Sequence, residues 1–157
     1  MSELTLDSDT VIETARRIAA RPLCNHCLGR QFAQVEHGYT NRERGERLRV
    51  TLGRPAVQPA DCWLCEGLMD DIELYSELVL EQFKPYEYDT FLVGSRIDED
   101  IERREAQLER VTGQGEPMKR EINREVGKIV EGQTGKQVDF GKPDVTAIID
   151  TRFNHIE

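Results

Sequence analysis

Apolar residues follow a helical period in four stretches of the chain. Residues 8–20, SDTVIETARRIAA, set Val11, Ile12, Ala15, Ile18 and Ala19 on one face. Thr10 with Glu13 fits a capping box there, and Pro22 stops the helix. Residues 69–83 align Ile72, Tyr75, Val79 and Phe83 ahead of Pro85. Residues 98–111 turn Ile101, Leu108 and Val111 inward, and residues 117–131 do the same with Met118, Ile122, Val126, Ile129 and Val130. A fifth helix is expected over 41–52, NRERGERLRVTL, with a basic surface and with Gly53 and Pro55 at its end. YDTFLVGSRI (88–97) is rich in β-formers and reads as a strand, and shorter strands are expected over 136–140 and 144–152. The pattern changes near residues 84–88. A helical unit over 1–85 is therefore expected ahead of a strand–helix–helix–strand–strand unit over 86–157. The fold class is α+β, with a small helix-covered α/β domain following the helical one.

Composition sharpens the picture. No apolar run approaches the ~20 residues of a membrane span. The opening MSELTLDSDT is acidic and has no apolar segment of the signal-peptide kind. A cytoplasmic protein without membrane contact is expected. The formal charge is −9, and 16 of the 21 basic residues are arginine. Acid-rich, lysine-poor chains suit a salt-loving microbe, where global negative charge serves solubility and says little about partners. Local charge says more. Residues 16–54 carry nine Arg against three Glu, and residues 117–142 carry six bases against four acids. Residues 66–110, between them, carry fourteen acids against five bases. Two basic segments are thus able to face an anion.

All four cysteines fall in C-x2-C pairs, Cys24/Cys27 and Cys62/Cys65. Each pair presents two thiolates from one turn, and two such turns close a tetrahedron around Zn2+. The 34 residues between the pairs exceed the usual ~15–20 and leave room for a helix. Disulfides and a thioredoxin-like redox pair fit less well. An iron–sulfur cluster uses the same four-Cys set and remains open. Four cysteines fill a tetrahedron, so His26 and His37 read as surface residues and the metal as structural.

The resemblance rests on several segments. VDFGKPDVTAIID (138–150), with Val138, Asp139, Pro143, Asp144 and Asp150, resembles the closing strands of THUMP domains. KREINREVGKIV (119–130) resembles the helix that precedes them. CNHCLGRQFA (24–33), TNRERGERLR (40–49), CWLCEGL (62–68) and TFLVGSRI (90–97) together resemble the N-terminal half of the archaeal tRNA pseudouridine synthase family called Pus-ten. The resemblance implies a zinc-binding unit followed by a THUMP domain, tRNA as partner, and uridines of the TΨC loop as targets. It also implies a catalytic Asp in a Gly-Arg-Glu-Asp type motif of a further domain. Gly29-Arg30-Gln31 and Gly53-Arg54-Pro55 are not followed by Asp, so no catalytic residue is assigned here. A covalently linked or separate catalytic domain is expected to supply it. Asp139, Asp144 and Asp150 read as turn and strand-end residues. Two other readings stay open: a freestanding tRNA-binding subunit of another modification enzyme, and a zinc-ribbon protein-interaction module.

Within that frame the cations gain a role. Arg120, Arg124 and Lys128 recur every four residues and stack along one helix face, flanked by Lys119 and Asn123, with Lys136 and Lys142 in nearby turns. These residues, and Arg42, Arg44, Arg47 and Arg49 between the Cys pairs, are the expected RNA contacts. The opposing reading is a solvated face in which they balance Glu121, Glu125, Glu131, Glu43 and Glu46. Trp63, Tyr39 and Phe32 are the candidate aromatics for base stacking.

Overall fold

A computed structural model describes residues 5–113 and 115–157. These form six α-helices, two 3-10 turns and one four-stranded sheet, an α+β architecture. The chain divides into two compact units. The described residues up to Met69 with Asp100–Met118 form the first, and Asp70–Glu99 with Lys119–Glu157 form the second. This division departs from the junction expected at 84–88: the helix ending at Phe83 groups with the sheet, and residues 100–118 return to the first unit.

In the first unit, α1 (Asp9–Ile18) buries Val11, Ala15 and Ile18. Its cap is Ser8, whose hydroxyl accepts from the Val11 N–H; Thr10 is already inside the helix. The first Cys turn continues as a short helix, α2 (Asn25–Arg30), which begins at Cys24. The α3 helix (Asn41–Leu52) opens on a capping box of Thr40 with Glu43 and closes on Gly53 in the left-handed region. Its buried face is Asn41, Arg44, Gly45 and Leu48, mostly polar. Gly29 and Gly45 let α2 and α3 touch backbone to backbone: a Cβ on Gly29 would lie 1.8 Å from the Asn41 carbonyl oxygen. Leu23, Leu28, Phe32 and Leu64 complete the buried apolar set around the cysteines.

The second unit holds α4 (Ile72–Phe83), β1 (Thr90–Arg96), β2 (Gln137–Val138), β3 (Val145–Asp150) and β4 (His155–Ile156). The α5 helix (Glu99–Thr112) lies almost wholly in the first unit, and α6 (Met118–Thr134) almost wholly in the second. The sheet order is β2-β1-β3-β4. Central β1 pairs in parallel with β2 and with β3, in the latter case from Phe91↔Val145 to Arg96↔Asp150. Phe91, Val93 and Ser95 alternate as its buried residues. The strand expected over 136–140 is only two residues long, because the Asp139 carboxylate accepts the Gly141 and Lys142 N–H groups and turns the chain. The strand expected to Arg152 stops at Asp150, and β4 returns antiparallel beside it. Phe83, Tyr88 and Phe91 form a cluster of tilted and edge-on rings under the sheet's N-terminal edge.

The aspartates of 138–150 hold turns and strand ends. Asp144 accepts the Asp89 and Thr90 N–H groups, at 2.9 and 3.2 Å. Asp150 accepts from the Arg152 backbone, Nε and Nη2, at 3.1, 2.9 and 2.8 Å. The Arg152 hydrogen bonds hold the Asp150 carboxyl down at about 2. An unfolded Asp titrates near ~3.9. A depressed acid stabilises the folded chain fully above about pH 4, and that contribution is lost as pH falls from about 4 to about 2. Asp150→Asn should therefore lower the melting temperature near neutral pH and match wild type near pH ~2. Thermal melts across pH check this; equal melting at neutral pH would refute it.

Candidate metal centre and nucleic-acid interface

The two Cys turns meet in the first unit. Cys24 caps α2 and Cys27 lies in its first turn. Cys62 follows the 3-10 turn Pro59–Asp61, and Glu66 and Gly67, both with positive φ, bend the chain after Cys65. The four Sγ atoms lie within 4.8 Å of one another, and all four residues are buried. Cys24 Sγ is 3.9 Å from Cys65 Sγ, and none of the four is disulfide-bonded. A tetrahedron of ~2.3 Å Zn–S bonds has edges of about 3.8 Å, whereas a disulfide needs ~2.05 Å. The donor set therefore fits one tetrahedral thiophilic ion. Neither His26 nor His37 belongs to the cluster.

Around the sulfurs the chain supplies hydrogen bonds and a cation. The Cys24 and Cys65 N–H groups donate to Cys62 Sγ at 3.4 and 3.5 Å. Arg30 is fully buried and donates from Nη2 to Cys27 Sγ at 3.4 Å, with Glu105 3.9 Å away. Burial raises the Cys27 thiol, and its hydrogen bonds to the other three cysteines raise it further, against the pull of the Arg30 charge. Hydrogen bonds from Cys24, Cys27 and Cys65 push Cys62 down. An ion entering the cluster must displace the thiol protons, so its affinity falls as pH falls.

The long insert between the Cys pairs contains α3 and a loop that one side chain ties down. Arg44 is buried and donates to the carbonyl oxygens of Val35, Gly29 and Tyr39 and to Asn41 Oδ1. Its expected RNA contact is corrected accordingly: the guanidinium faces the interior. Arg42 is exposed and pairs with Glu46 at 3.2 Å, Arg47 lies over the Tyr39 ring at 4.5 Å, and half-buried Arg49 donates to the Leu23 carbonyl. Of the candidate stacking residues, Phe32 is buried, Tyr39 is covered by Arg47, and half-buried Trp63 has Arg21 and Arg104 over its ring at 4.9 and 5.9 Å. The exposed aromatics are instead Phe140, Phe153 and Tyr86, in turns that carry no periodic signal.

In the second unit, α6 buries Met118, Ile122, Val126 and Val130 completely. The opposite face carries Arg120 and Lys128, both exposed, with Arg124 exposed over 38% of its side chain, and Lys119 is exposed in the helix's first turn. Glu125 sits among them, 3.4 Å from Arg124 and 3.7 Å from Lys128. Asn123 is half-buried. Lys136 lies 3.8 Å from Asp89 and over the Tyr88 ring, and Lys142 is exposed in the Asp139 turn. The helix thus carries a cationic row and an acid that partly balances it.

The profile of the archaeal Pus10 THUMP domain matches residues 75–150. The "tRNA pseudouridine synthase Pus10" of Pyrococcus furiosus is 36% identical over 154 residues, covering 94% of this chain and 39% of that protein. The chain is similar along nearly its whole length to archaeal Pus10 proteins and carries the THUMP segment matched to theirs. The Pus10 proteins of Halorubrum lacusprofundi and Thermosphaera aggregans are 37% and 32% identical, and the chain covers 37% and 44% of their lengths. It therefore spans about two fifths of the curated Pus10 relatives it matches. No solved structure matches it. Among the described residues, no helix is long and apolar enough to cross a membrane.

Proposed function

We propose that this chain grips tRNA for a Pus10 pseudouridine synthase acting on TΨC-loop uridines, with the catalytic Asp supplied by a linked or separate domain. The observation that carries the reading is the α6 face, where cations oppose a wholly buried apolar stripe in the segment matched to the Pus10 THUMP domain. Residues one helical turn apart lie roughly 6 Å from each other, and arginine and lysine at that interval suit successive phosphates of a strand. The target uridine must leave its stack to react, and contacts remote from it supply the free energy of placement.

The metal in this reading is a structural Zn2+ held by Cys24, Cys27, Cys62 and Cys65. Four sulfurs close the tetrahedron, so bound zinc supplies a cross-link and no open position for substrate.

A salt series of tRNA affinity tests the interface. Arg120→Ala/Arg124→Ala/Lys128→Ala should reduce the slope of log affinity against log salt by about 2 to 3 units. Glu125→Gln should tighten binding, because it removes the acid that pairs with two of those cations. Unchanged affinity and slope in the triple variant would make the row a solvated helix face.

A further inference from the structure

A pocket of about 200 Å3 opens in the first unit, where the chain leaving α1 meets the C-terminal end of α3 and the loop after it. Three arginines line it, Arg21, Arg49 and Arg54, together with the apolar surfaces of Pro22, Pro55 and Val57. Among the described residues, none of the three has a carboxylate at ion-pair distance. In a chain of charge −9 this is an unusual concentration of unbalanced cations. Arg49 and Arg54 are close enough to repel: burial lowers the Arg49 guanidinium, Cys24 and Cys62 act in the opposite direction, and Arg54 adds to the lowering. The Arg49 Nε is buried without a hydrogen-bond partner, and an unmet buried donor costs desolvation free energy that a bound acceptor would offset. The pocket also has an aromatic neighbour. The Trp63 backbone N–H donates to the Pro22 carbonyl, and Arg21 lies over the Trp63 ring.

We infer that this pocket receives one nucleotide of an RNA strand, with its phosphate on Arg21, Arg49 and Arg54 and its sugar or base on Pro22, Pro55 and Val57. The inference deepens the tRNA-binding reading and rests on it. A phosphate supplies the missing counter-charge and acceptors, and arginine suits it because its planar fork makes paired hydrogen bonds. The prolines offer a flat apolar surface for the sugar or base. A competing account is that the helix ends alone explain the cations, since carbonyls at the C-termini of α1 and α3 favour positive charge. That account leaves Arg54, an exposed residue beyond Gly53, without a role.

The test uses the full chain with its metal bound, and two measurements. First, affinity for unmodified tRNA is followed across a salt series for wild type and for Arg21→Gln/Arg54→Gln, with metal content and melting temperature measured for each. The double variant should bind about tenfold more weakly, with a slope reduced by about 0.7 units, the share of one phosphate. Second, adenosine monophosphate is titrated into wild type while the Arg49 Nε–H signal is followed by NMR. A saturable shift, lost in the double variant, is expected. If wild type binds tRNA and the double variant binds it equally well with the same slope, the pocket is overturned and the tRNA reading stands. If wild type does not bind tRNA at all, the tRNA reading falls and the RNA assignment of the pocket falls with it. Lower melting of the double variant with unchanged tRNA affinity would leave the arginines as helix-end charges only and also overturn the pocket.

Discussion

Removing the metal from the four-cysteine centre should unfold the helical unit that contains it. Structural zinc in small domains contributes on the order of 10 kcal/mol of folding free energy, while a whole domain has only ~5–15 kcal/mol of net stability. The unit has little to set against that loss. Its α3 helix buries two polar residues, one glycine and one leucine, and four of its core positions are the cysteines themselves. Without an ion, the buried sulfurs must share protons among groups less than 4.8 Å apart. Elemental analysis should give about one zinc per chain. A chelator, or Cys27→Ser, should abolish the helical circular dichroism of α1 to α3. Metal-free protein with unchanged dichroism would falsify the structural role, and bound iron with visible charge-transfer absorption would replace zinc with a cluster.

Gly29→Ala should be nearly as damaging by a different route. The new Cβ would sit 1.8 Å from the Asn41 carbonyl oxygen and 2.7 Å from the Gly45 nitrogen. Both are backbone atoms of the neighbouring helix, so no side chain can rotate out of the way. Overpacking typically costs ~1–3 kcal/mol, and a backbone obstruction belongs at or above the upper end, about 3 kcal/mol. The helix would have to tilt, and Cys27 lies two residues away, so metal affinity should fall together with stability. Gly132→Ala is the control. It lies in α6 with nothing within 4 Å of its Cβ position, and should stabilise by up to ~1 kcal/mol through helix propensity. Denaturant midpoints of both variants check the pair. A Gly29→Ala midpoint equal to wild type would show that the helices separate at no cost.

The contrast between these glycines shows where sequence reading reaches its limit. Helices α1, α4 and α6 were legible because apolar stripes at a 3.6-residue period are how a helix is oriented on a core. The four-cysteine cluster was legible because its members come in two local pairs. The α3 helix was legible as a helix but not in orientation. Its buried positions 41, 44, 45 and 48 follow the helical spacing, yet are filled by Asn, Arg, Gly and Leu, while Val50 is 83% exposed. Arg44 therefore resembled its exposed neighbours Arg42 and Arg47. The sheet was legible at β1, where β-formers run continuously, and not at β4, whose two residues fold back on β3 after a four-residue turn and are too short for an alternation to show. Arg21, Arg49 and Arg54 are scattered over thirty-odd positions, and only the folded chain brings them together.

Arg44 has a consequence for motion. One guanidinium grips Gly29 at the end of α2, Val35 and Tyr39 in the connecting loop, and Asn41 at the start of α3. A loop of that length usually opens on its own, well before the elements it joins. Here any excursion of residues 31–40 must break contacts that also fix both flanking helices. The segment from Cys24 to Leu48 is consequently a single opening unit, and the metal's first two ligands ride on it. With zinc bound as proposed, loss of order in the loop and release of the ion would be one event, so the ion's lifetime would measure the stability of residues 31–40, which supply none of the four cysteines.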